Sequence, residues 1–84
     1  MQITLYSKPT CHLCSDVKMD LLALQDEIDF VIVERNIEED PTDFERFRYL
    51  IPVLDIEGGE VLYPPHTFYT LRNALLKAQS VIGA

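Results

Sequence analysis

At 84 residues, with 7 Lys and Arg against 14 Asp and Glu and a formal net charge of −7, the chain has room for one domain, residues 1–84, and a surface that repels phosphate backbones and anionic lipid. Nucleic acid and membranes are therefore excluded as partners. Hydrophobic residues make up 48% with no run long enough to span a bilayer, and Met1-Gln2-Ile3 leads straight into a strand pattern without the basic n-region of a secretory signal, so a soluble, cytoplasmic, monomeric protein is the expectation.

Met1 to Tyr6 alternates apolar Ile3 and Leu5 with polar neighbours and reads as a first strand, which Pro9 prevents from continuing. Cys14, Val17, Leu21, Leu24 and Ile28 then recur at helical spacing, with Asp16, Asp20, Asp26 and Glu27 mostly elsewhere on the wheel. The pair Cys11-His12-Leu13-Cys14 thus falls on a strand-loop-helix corner. Asp29 to Arg35 is rich in β-branched and aromatic residues, and its nearly continuous apolar run from Phe30 to Val33 predicts a second strand covered on both faces. A helix between the two strands implies that they are parallel, joined by a right-handed crossover. Asp40 as N-cap and Pro41 at the first helical position open a short second helix, from which Phe44 and Phe47 point one way into the core. Ile51 to Ile56 predicts a third strand that begins with a proline, where no ladder donor is lost. Glu57-Gly58-Gly59-Glu60 forms a turn, and Val61-Leu62-Tyr63 returns as an antiparallel partner that Pro64-Pro65 ends. Thr67 or His66 caps a last helix, whose apolar stripe is Phe68, Leu71, Leu75 and Ala78. The order β-α-β-α-β-β-α predicts an α/β sandwich of two or three layers with a mixed four-stranded sheet.

The chemistry-bearing residues are the two cysteines. In a cytosolic protein a C-x-x-C pair is more often catalytic or metal-binding than a structural staple. The first turn of a helix presents unpaired N–H groups and the positive end of the dipole, which favour a thiolate at Cys11. An unperturbed pKa of about 8.5 leaves only about 3% thiolate at pH 7, whereas a pKa near 6 gives about 90%, a difference of about 3 kcal/mol. Cys14, one turn on and more buried, is the resolving thiol. His12, as an imidazolium beside Cys11, would stabilise the thiolate and raise the reduction potential, or would point to solvent and do little. His66 is a loop or cap residue, and Tyr6 is strand core or site wall. A zinc site needs four ligands, and two cysteines with two histidines at these spacings are unlike a zinc finger. An iron-sulfur cluster would require a second copy of the chain.

This order, with C-x-x-C at the first βα corner and a proline opening the third strand, resembles the thioredoxin-like fold in its glutaredoxin form. The specific pieces are the Tyr6-Ser7-Lys8-x-x-Cys11-x-x-Cys14 run, Lys18 four residues after the second cysteine, and Ile51-Pro52-Val53. The C-H-L-C wording is similar to that of a small branch of bacterial glutaredoxin-like proteins. The resemblance implies helices on both faces of the sheet and a dithiol thiol-disulfide oxidoreductase needing no metal, nucleotide or flavin. It also implies that Ile51-Pro52 is a cis-proline turn, where sequence alone defaults to trans. Its implied partners are a disulfide-containing protein or a small thiol substrate such as glutathione. The backbone of Ile51 would pair with that substrate, and Lys8 would meet a glutathione carboxylate. Where glutathione-using relatives carry a Gly-Gly-x-Asp-Asp stretch, this chain has Tyr63-Pro64-Pro65-His66-Thr67, without the carboxylate. The alternatives are a thioredoxin-fold binding module without turnover and an iron-sulfur or zinc-binding glutaredoxin-like protein.

Overall fold

Ile3 and Leu5 are fully buried, and so are Leu21, Leu24, Leu71 and Leu75 from the two long apolar stripes; together with Leu54 and Ile56 they form one core. In the computed structural model, which describes residues 1–83 and the side chains of residues 1–80, this core lies between a sheet and two helices. The elements are β1 (Gln2–Ser7), α1 (His12–Leu24), β2 (Val31–Asn36), a 3₁₀ turn (Ile37–Glu39), α2 (Pro41–Phe47), β3 (Val53–Ile56), β4 (Val61–Leu62) and α3 (Phe68–Gly83).

The sheet is mixed, in the order β2-β1-β3-β4: β1 runs parallel to β2 and antiparallel to β3, and β3 is antiparallel to β4. Successive residues of a strand point to opposite faces, which separates two cores. Ile3, Leu5, Leu54 and Ile56 meet α1 and α3 on one face. Tyr6 and Val53, their neighbours along the strands, meet Phe47 of α2 and Ile37 on the other. Helices therefore cover both faces, in three layers. No helix among the described residues is long and apolar enough to cross a membrane.

Four expectations need correction. Helix α1 stops at Leu24, with Gln25 as its C-cap, so Ile28 joins the core from a turn. The acidic run Asp26, Glu27 and Asp29 opposes the negative end of a helix, which favours unwinding there. Strand β2 is covered on one face only. It is a sheet edge, and Val31 and Val33 are 61% and 36% exposed; α2 is only 7 residues long and meets this strand at Arg35, through Asp40 and Asp43. Phe44 is 37% exposed, with the Arg48 guanidinium 5.5 Å over its ring. Asp43 is buried in its place. Finally, β3 begins at Val53, two residues later than predicted.

The expected caps are present. Asp40 Oδ1 accepts from the Thr42 and Asp43 N–H groups at 2.8 and 3.1 Å, with Pro41 following at the first helical position. Thr67 rather than His66 caps α3: its Oγ1 accepts from the Thr70 N–H at 3.1 Å, while the Thr67 N–H donates to Thr70 Oγ1 at 3.0 Å.

Candidate active site

Ser7, the last residue of β1, is buried, and the loop that follows is closed by the Cys11 N–H donating to the Lys8 carbonyl at 3.1 Å. Pro9, fixed in φ and without an N–H, keeps the loop from rejoining the sheet. Cys11 is then the N-cap of α1, in extended conformation (φ −86°, ψ 106°), a geometry that aims a cap side chain at the free N–H groups of the first turn. Its Sγ accepts from the Cys14 N–H at 3.1 Å. No acidic residue lies in that first turn, so the helix end acts on the sulfur without a neighbouring carboxylate to oppose it.

Cys11 and Cys14 form a disulfide with their Cα atoms 5.2 Å apart, inside the range that two cysteines need. Cys14 is the more buried, at 4% exposure, and Cys11 is half-buried. The sulfurs open on a cleft of about 700 Å³ between α1, β2 and the start of α2. Lys8, Lys18 and Arg35 line it together with Glu34, Glu39, Asp40 and Asp43. Lys18 pairs with Glu34 at 3.0 Å, and Arg35 with Asp43 and Asp40. Lys8 pairs with no carboxylate among the described residues.

Residues 2–76 match the glutaredoxin-like domain (DUF836). The chain belongs to that family. Among solved structures it is similar to a structural-genomics target protein, XcR50, from X. campestris. The two are 28% identical over 89% of this chain and 96% of that one, with a TM-score of 0.73. It is also similar to thioredoxin 1 from Thermosipho africanus, with a TM-score of 0.78 at 12% identity and full coverage of both chains, a likeness of fold. No curated protein matches the sequence.

In this glutaredoxin-like domain the remaining candidates are spread around the cleft. The His12 side chain is 90% exposed, with Nε2 3.9 Å from Asp16 Oδ2. Its charge, when present, is shared with solvent and a carboxylate one turn on. Ile51 and Pro52 do not line the cleft. They lie at the same end of the sheet, because Tyr6 of β1 pairs with Val53 of β3. The Ile51–Pro52 peptide bond is cis, as is Pro64–Pro65. The Ile51 N–H donates to the Phe47 carbonyl at 3.1 Å, so only the carbonyl of Ile51 could meet a substrate main chain. No group of three or more His, Cys, Asp or Glu among the described residues is placed to hold a metal ion.

Two side-chain contacts at this end of the glutaredoxin-like domain escaped the sequence reading, which gives His66 only as a loop or cap residue. Asp43, buried, accepts from Arg35 Nε at 2.9 Å and lies 2.7 Å from its terminal nitrogen. That hydrogen bond first, and the charge of Asp43 second, raise the Arg35 guanidinium above the usual arginine value. The pair ties the end of β2 to α2 and forms the far wall of the cleft. A signal existed in the D-x-x-D spacing of Asp40 and Asp43 just downstream of Arg35. The second is that of His66, whose Nε2 lies 2.7 Å from the Pro52 carbonyl oxygen.

Proposed function

We propose that this protein is a cytoplasmic dithiol thiol-disulfide oxidoreductase acting on protein disulfides or glutathione-type disulfides. The observation that carries the reading is the Cys11 sulfur at the N-cap of α1. It accepts the Cys14 N–H, is bonded to Cys14 and opens on a cleft. In the reduced protein the Cys11 thiolate attacks one sulfur of a substrate disulfide, forming a mixed disulfide and expelling the other sulfur as a thiolate. Cys14 then loses its proton and attacks Cys11 Sγ, which breaks the mixed disulfide, releases the second substrate thiolate and leaves the Cys11–Cys14 bond. Two electrons have passed to the substrate, and a thiol reductant such as glutathione, or a flavin-dependent reductase, returns them.

The half-exposed Cys11 suits attack, and the buried Cys14 suits resolution, since only a group already docked at Cys11 comes within its reach. Lys8, at the cleft without a carboxylate partner among the described residues, is assigned to a substrate carboxylate. The Ile51 carbonyl, beside the cis-proline, is assigned to the substrate main chain, and His12 to tuning of the thiolate. The test is a side-by-side assay of insulin disulfide reduction and of a glutathione mixed disulfide, with glutathione and with thioredoxin reductase as alternative donors. Turnover lost in Cys11→Ser supports the reading. No turnover with either substrate rejects it and leaves the fold as a docking module.

A further inference from the structure

Strand β3 begins at Val53, one residue after the position at which an extension of its register sets two prolines opposite one another. Leu54 pairs with Leu62 and Asp55 with Val61, and the Ile56 N–H donates to the Glu60 carbonyl. Hydrogen-bonded pairs alternate along an antiparallel ladder, so after 56 with 60 and 54 with 62 the next such pair is 52 with 64. Both positions are proline. Neither can donate, and the Pro52 carbonyl, on a buried residue, would be left without the partner that burial demands. His66 supplies the donor. A carbonyl oxygen can only accept, so at 2.7 Å the Nε2 atom must carry the proton.

We propose that His66 is a positioning residue, which holds the Leu50–Pro52 loop in place by substituting for the missing ladder bond. The inference rests on the proposed function for its consequence, since that loop carries the Ile51 carbonyl assigned to the substrate. Nε2 is protonated in both the neutral and the charged imidazole that can make this bond, so His66 holds the loop without serving as a proton acceptor through that atom. The same bond fastens the segment leading to Thr67, the N-cap of α3, to the cleft end of the sheet.

The contact has a readout that needs no turnover. In ¹⁵N spectra at pH 8, His66 is expected as the Nε2–H tautomer, and an Nδ1–H tautomer overturns the proposal. His66→Phe keeps a ring and removes the donor, whereas His66→Gln keeps a donor at similar reach. The Leu50 and Ile51 N–H groups both donate to the Phe47 carbonyl, at 2.8 and 3.1 Å. Their exchange with solvent should accelerate about tenfold in His66→Phe and less than about twofold in His66→Gln, with α1 amides unchanged. Equal acceleration in both variants, or none in either, overturns it. In the insulin assay His66→Phe should raise KM about tenfold at nearly constant kcat, with Cys11 alkylation at the wild-type rate. Wild-type protein without turnover rejects the oxidoreductase reading alone, because the spectra and exchange rates still decide the role of His66.

Discussion

Reducing the Cys11–Cys14 disulfide should change the stability of the fold through two opposed terms, and pH separates them. The bond joins residues at a sequence separation of only 3, so the chain entropy it removes from the unfolded state is worth only about 1.9 kcal/mol. For 84 residues the unfolding entropy is about 0.18 kcal/mol/K, which converts that term to about 10 °C in Tm. Against it stands the Cys14 N–H, 3.1 Å from Cys11 Sγ. A hydrogen bond to a charged group contributes about 1.5–3 kcal/mol, available to the thiolate once the disulfide is gone. A thiolate favoured by the fold has its folded pKa depressed below the unfolded value of about 8.5. Its stabilisation is fully present above that value and is lost as pH falls through the folded one. Oxidised and reduced protein should therefore melt within about 6 °C of each other at pH 9 and about 10 °C apart at pH 5, with the oxidised form higher. Carboxylates titrate in both forms and cancel in the difference. Circular dichroism melts of both forms, the reduced one under excess phosphine, measure it. The same gap at both pH values would refute thiolate stabilisation by the helix end, as would a pH-dependent gap that persists when reduced Cys11→Ser replaces the reduced wild type.

Other consequences follow from single contacts. Cys14→Ser should accumulate a mixed disulfide between Cys11 and substrate, visible by intact mass; release at the wild-type rate would remove Cys14 from the mechanism. Asp40→Ala, which strips the two N-cap bonds of α2, should lower stability by about 1 kcal/mol, whereas Asp40→Asn keeps the accepting oxygen and should cost a few tenths at most. Equal losses in urea titrations would shift the weight from the cap to the Arg35 contact. At Gly59 an added Cβ would lie 3.0 Å from both Ala78 Cβ and Ile56 Cγ2, so Gly59→Ala should destabilise by about 1–3 kcal/mol as α3 is pushed off the hairpin. An unchanged midpoint would show that the turn can yield.

What the sequence makes legible is whatever depends on neighbours along the chain. The stripe of Val17, Leu21 and Leu24, the cap at Asp40, the turn at Gly58-Gly59 and the cysteine pair at the first corner are local patterns with local physical causes, and each is in place. Burial on β2 is different. Val31 and Val33 have the composition of a covered strand, yet their exposure depends on where α2, an element ten residues further on, meets the sheet. Phe44 fails for the same reason, since a seven-residue helix has one contact line with the sheet, and Phe47 and Asp43 occupy it.

The site divides along the same boundary. Cys11, Cys14 and Lys8 line one cleft, and their placement together could be read because loop and helix start are contiguous along the chain. Arg35 with Asp43 and His66 with Pro52 are separated by 8 and 14 positions, and nothing in either local stretch requires the contact. The second could still have been found by arithmetic. Once the hairpin loop is Glu57-Gly58-Gly59, so that Ile56 faces Glu60, the register pairs position 52 with 64, and two prolines there announce a carbonyl that the ladder cannot satisfy. The donor then has to come from the side chains that follow Pro64-Pro65, and His66 and Thr67 are the first two with a proton to give. Thr67 is committed to the helix cap, which leaves the imidazole.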